Sequence, residues 1–180
     1  MRTLMGVLLL LVATPAMAAS VNIDYAKDFM FKEVKTFQYV ETTDTNIANP
    51  MMADRVVKLL KEKMVAGGLQ EVEKDADISV TYHFTSQDET VLNTTGYGYG
   101  GRGVGWGGWG GGVMATTTSM TYTEGTLIVD VYEAKDKKMI FRGTGTVTVK
   151  EKPEKQVAQI ETILDKMGSK WHKILKNEGE

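Results

Sequence analysis

The amino-acid sequence predicts an α+β fold: a two-layer sandwich in which two amphipathic helices cover one face of a mostly antiparallel sheet of about five strands. Three observations lead there. Two segments, opening at Pro50 and at Pro153, repeat apolar residues every three or four positions. Several shorter segments alternate apolar with polar residues, the period of a strand with one buried face. Two of these alternating segments are joined by only a short connection, "AKDK", which makes them an antiparallel hairpin.

The chain of 180 residues has room for one domain. Its first eighteen residues stand apart from that domain. Arg2 supplies a positive start, "LMGVLLLLVA" an apolar run too short to span a bilayer comfortably, and Ala16 and Ala18 an A-x-A pattern. Residues 1–18 are therefore expected to be a signal peptide cut between Ala18 and Ala19, with the remainder periplasmic. Residues 19–176 are expected to form the single α+β domain, interrupted by a Gly-rich loop over 96–112, with 177–180 as a frayed tail. No later run is apolar enough for a transmembrane helix.

Within the domain, "VNIDY" (21–25) and the β-branched, aromatic 36–40 read as strands. In the first helix Asn49 suits the N-cap and Pro50 the first helical position. Met52, Val56, Leu59, Leu60 and Met64 form its apolar stripe, and Gly67 or Gly68 supplies a left-handed stop. A strand follows with Ile78, Val80, Tyr82 and Phe84 on one face and Ser79, Thr81, His83 and Thr85 on the other. After the Gly-rich tract come a long strand, 116–133, with Leu127, Val129 and Val131 inward, and its return strand. There Phe141, Val147 and Val149 oppose Arg142, Thr144, Thr146 and Thr148. The second helix carries Val157, Ile160, Leu164, Met167, Trp171 and Ile174 on one stripe, weakened in the middle by Gly168 and Ser169.

Composition excludes several functions. The 21 basic residues fall by one when Arg2 is removed, against 23 acidic ones, so nucleic acid is not the expected main partner. With no cysteine there is no disulfide, no thiol nucleophile and no lipidated cysteine. The tract "GYGYGGRGVGWGGWGGG" matches G-x-G-x-x-G twice, as any tract so rich in glycine will. A Thr-rich strand follows it rather than the helix N-terminus a dinucleotide site needs, and no Lys-Ser or Lys-Thr closes it as a P-loop. The tract reads as a loop between strands. Its aromatic residues Tyr97, Tyr99, Trp106 and Trp109, with Arg102, form the candidate partner contact, because Trp and Tyr favour interfaces and headgroup regions.

No catalytic, cofactor or metal site is expected. His83 and His172 are the only histidines and lie in different elements; His83 reads as a solvated side chain. Asp75 and Asp77 read as the end of a loop. Glu124 and Asp130 share one strand face but sit roughly 20 Å apart, too far for a carboxylate pair. No serine has an evident histidine base.

Four segments in one order, "VNIDYAKDFMFKEVKTFQYV", "NPMMADRVVKLLKEKMVAGGL", "DADISVTYHF" and "GTLIVDVYEAKDKKMIFRGTG", resemble domain-of-unknown-function family 4136. The resemblance covers roughly 21–164. It implies the same α+β fold and a place among bacterial envelope proteins, many of them lipoproteins, with no catalytic residues. Phe141 stands where the family usually has Trp, and the missing cysteine means that lipid anchoring does not carry over. The expected function is a non-enzymatic periplasmic or outer-membrane-associated protein that binds an envelope protein or the membrane surface. A small-molecule or glycan-binding module using the loop aromatics is the alternative, and an unrecognised hydrolase a third.

Overall fold

A computed structural model describes residues 19–42, 50–96 and 115–178. The strands are β1 (Ser20–Tyr25), β2 (Thr36–Tyr39), β3 (Gln70–Glu71), β4 (Ile78–Gly96), β5 (Ala115–Glu133) and β6 (Met139–Thr148). The helices are α1 (Pro50–Ala66) and α2 (Pro153–Asn177), with a 3-10 turn at Phe31–Glu33. The sheet has six strands, not five, in the order β1-β6-β5-β4-β2-β3. The additional one, β3, is too short to show an alternating pattern. Pairing is antiparallel from β1 through β4, whereas β2 runs parallel to both β4 and β3 because α1 carries the chain back between them.

The helices cover one sheet face, and the register shows why. One row across the strands reads Val80, Val131, Phe141 and Tyr25; the next reads Tyr82, Val129, Gly143 and Ile23; the third reads Phe84, Leu127, Gly145 and Val21. Most of these residues are buried against Val56 and Leu60 of α1 and Ile160, Leu164 and Met167 of α2. A β-carbon placed on Gly143 would lie 2.7 Å from Met167 Sδ, so this glycine lets α2 settle directly on β6. Ile163, absent from the expected stripe, packs in the same way over Gly145. Trp171 meets Phe141 edge-on, with ring centroids 5.2 Å apart.

The end of α1 is a Schellman motif. Leu69 N–H donates to Met64 C=O and Gly68 N–H to Val65 C=O, with Gly68 at φ 94°. Of the two glycines expected to stop the helix, Gly68 is therefore the left-handed one; Asn49 lies outside the described residues. The second helix runs to Asn177. Glu178 reaches back so that its carboxylate accepts the N–H groups of Phe31 and Lys32, each at 3.0 Å, and caps the 3-10 turn. Asp77 likewise does more than end a loop. Its Oδ2 accepts Lys35 N–H and Thr36 N–H at 2.8 Å each, tying the start of β2 to the start of β4. These hydrogen bonds hold its carboxyl below the usual carboxylate range.

Candidate functional site

β4 and β5 continue well past the place where the sequence pattern ends the first of them. The alternation named above ends at Thr85, yet the ladder runs unbroken to Gly96↔Ala115. β6 leaves β5 at Glu124, with Val149 N–H donating to Thr123 C=O as the last bond. From Asp88↔Thr123 to Gly96↔Ala115 the two strands have no third described strand beside them, an arm about 25–30 Å long. Gly125 marks its root, where a β-carbon would press 2.7 Å from Val149 and 3.1 Å from Phe84.

Polar side chains zip the arm's base. Thr123 Oγ1 donates to Asp88 Oδ1 at 2.7 Å, and the hydroxyls of Thr90 and Thr121 lie 3.3 Å apart. Gln87, Asp88, Glu89 and Thr90 are all exposed, and so is Met120. β2 pairs only with residues 78–80 of β4, so the outer backbone edge of β4 beyond them is unpaired by any described strand. The candidate contact residues Tyr97, Tyr99, Arg102, Trp106 and Trp109 lie outside the described residues. The described strands fix only where that tract is attached, at the far end of the arm; Gly96, placed in the loop by the sequence pattern, is the last residue of β4.

The sheet face away from the helices carries a second feature, one the sequence reading missed. Asp130 is fully buried there, although its strand neighbours on both sides face the core. Arg142, directly opposite in the hairpin register, grips it with two hydrogen bonds, Nε to Oδ1 at 2.6 Å and Nη2 to Oδ2 at 2.7 Å. His83 is not simply solvated. Its ring is 25% exposed and its Nε2 stands 3.4 Å from Asp130 Oδ2. The hydrogen bond to Asp130, reinforced by its charge, raises the guanidinium pKa of Arg142, and burial with the Asp130 charge raises that of Tyr132. Thr81 Oγ1, beside Asp130 in register, is buried and makes no hydrogen bond, so no base is set on that hydroxyl. The signal for this cluster was present: in a hairpin centred near Asp136, Asp130 and Arg142 are equidistant from the turn. Glu124 faces Thr148, remote from the cluster.

Between α1, α2 and the sheet lies a cavity of about 370 Å³, floored by Val129, Val131 and Phe141. His172 lines it and His83 does not, so the two histidines do not meet. Among the described residues no three His, Asp or Glu side chains gather as a metal site, and no helix is long and apolar enough to cross a membrane.

An open mixed sheet with two helices on one face, a buried Asp130 held by Arg142 on the other and a long β arm defines an α+β domain of a recognisable type. The chain belongs to DUF4136, a domain of unknown function, whose family model matches residues 21–170. It is similar to the crystal structure of a DUF4136 family protein from Bacteroides thetaiotaomicron, with 16% identity and a TM-score of 0.51, covering 89% of this chain and 98% of that one. It is also similar to a PDZ domain protein from Parabacteroides distasonis, with 9% identity and a TM-score of 0.50. That alignment covers 81% of this chain but 35% of the other, so the chain spans about a third of that protein's length. Identities this low show a shared fold. No curated protein matches the chain.

Proposed function

We propose that this chain is a non-enzymatic protein of the bacterial envelope, exported by residues 1–18, that holds another envelope protein with the β4–β5 arm and its aromatic, Gly-rich tip. The observation that carries this reading is the arm itself. A two-stranded ribbon without a packed face is marginal in water, and here it extends past the end of β6 with exposed polar side chains at its base. Its outer edge, unpaired by any described strand, offers N–H and C=O groups, the means by which one sheet adds a strand to another. The tract of Tyr97, Tyr99, Arg102, Trp106 and Trp109 adds aromatic anchors of the kind that concentrate binding energy. A non-enzymatic role is supported by the chemistry of the outer face: Arg142 engages Asp130 at both carboxylate oxygens and no base reaches Thr81.

The test is photocrosslinking in intact cells from a reactive side chain placed at Trp106, beside a variant in which 97–112 is a short Gly-Ser linker and the reactive group sits at Thr90. The reading predicts one dominant protein adduct from Trp106 that competes with the unlabelled wild-type chain, and loss of that adduct in the linker variant. An adduct to lipid alone would move the contact to the membrane surface. No competable adduct, or an equal one from the linker variant, contradicts the proposal.

A further inference from the structure

The cavity beneath the helices is built from residues that the arm does not use. Its walls are apolar: Leu60 and Met64 of α1, Leu164 and Met167 of α2, and Trp171 over the floor of Phe141. The polar lining residues Lys63, Asp165, Ser169 and His172 gather on the open side, where Asp165 is 57% exposed and Ser169 and His172 are exposed. Gly168 also lines it, in the middle of α2. A glycine there costs a helix about 1 kcal/mol relative to alanine. At Gly143 close packing demands the glycine, but a β-carbon on Gly168 would meet nothing within 4 Å. The helix therefore carries a costly residue that leaves the cavity wide, with no packing reason for it.

We propose that this cavity binds the single acyl chain of a neutral-headed amphiphile such as a monoacylglycerol or a fatty alcohol. The apolar walls select hydrocarbon, and two methionines let them adapt to its shape. A volume of about 370 Å³ is enough to take one acyl chain. Charge at the opening selects the head. Lys63 Nζ, the cation there, already lies 2.7 Å from Asp165 and 3.1 Å from Glu161, so two carboxylates face one ammonium. A fatty-acid carboxylate would meet net repulsion, whereas a hydroxyl head can hydrogen-bond to Asp165, Ser169 or His172.

The experiment is isothermal titration of the full chain, purified from the cells that export it, with monolaurin and separately with laurate, each below its critical micelle concentration. Saturable binding of monolaurin, at least tenfold tighter than laurate, is the expected result. Gly168→Leu places a side chain in the cavity. It should melt no lower than wild type and bind monolaurin at least tenfold more weakly. If it melts lower, Gly168→Met, with an unbranched side chain reaching the same space, takes its place. Glu161→Gln with Asp165→Asn frees the Lys63 charge and should move the preference towards laurate by about tenfold. Absence of saturable monolaurin binding, or wild-type affinity in the folded Gly168 variant, overturns the site. A laurate preference in wild type, or one unmoved by the double variant, overturns the neutral head.

Discussion

Residues 78–86 and 87–96 of β4 share one strand and one partner, β5, yet they solve opposite problems. In the first stretch Ile78, Val80 and Tyr82 are buried at 2% exposure or less, with helices over them and β2 or β6 within the same sheet. In the second, Gln87 to Thr90 are all exposed and, beyond Gln87, the ladder has two described strands. The hydrogen-bonded backbone is alike in both; what differs is side-chain burial, and burial is what stabilises a fold. The inner stretch is bound to the core, whereas the side chains of Gln87 to Thr90 are not. Substitutions should therefore fall steeply in effect from the core to the arm.

The largest effect belongs to Val129, 5% exposed and central on the helix-facing side. Val129→Asp places an unpaired charge against both helices, costs several kcal/mol and should abolish the cooperative melt followed by circular dichroism. A melt like wild type would mean that the inner stretch does not face the helices. Next comes Arg142→Met, which leaves the fully buried Asp130 without its bidentate partner. About 3 kcal/mol is expected, at the low end for a broken buried pair because Arg142 is 46% exposed. Adding Asp130→Leu should recover most of the loss in urea unfolding, and failure to recover would show that Arg142 acts through something else.

Asp77→Ala should cost about 1 kcal/mol, moderated by solvent at this exposed carboxylate. Because the folded pKa of Asp77 is lowered, its contribution is fully present above the unfolded value of about 3.9 and is lost as pH falls through the lower folded value. Wild type and Asp77→Ala should therefore converge in stability in acid, and a gap that persists there would place its source outside that carboxylate. The smallest effect is expected at the tip: a short Gly-Ser linker in place of 97–112 should shift the melting midpoint by no more than a few degrees, since closure free energy changes slowly with loop length.

The same division governs what could be read from the sequence. Alternation exposed Ile78, Val80 and Tyr82 because one sheet face is apolar, and three-to-four spacing exposed both helices because each has one buried stripe. Where burial stops, the pattern stops, so Gln87–Thr95, whose residues Gln87 to Thr90 are polar and exposed, drew no reading as a strand. β3 escaped because two residues, Gln70 and Glu71, carry no period. Asp130 escaped for another reason: a lone acid in an apolar run is informative only once the hairpin register places Arg142 opposite it. Glu178 caps a turn some 146 residues earlier in the chain, a contact that no local pattern announces.

The separation of core from contact is tested most directly by removing the arm. Joining Gln87 to Glu124 through an Asn-Gly turn deletes residues 88–123 and keeps every described pair of β5 with β6 from Glu124 onward. Thermal melting and photocrosslinking in intact cells, with the reactive group carried at Gln87, should be measured on this one variant. A cooperative melt within a few degrees of wild type, together with loss of the competable protein adduct, is the predicted result. An unfolded variant, or a folded one that still forms the adduct, would contradict it.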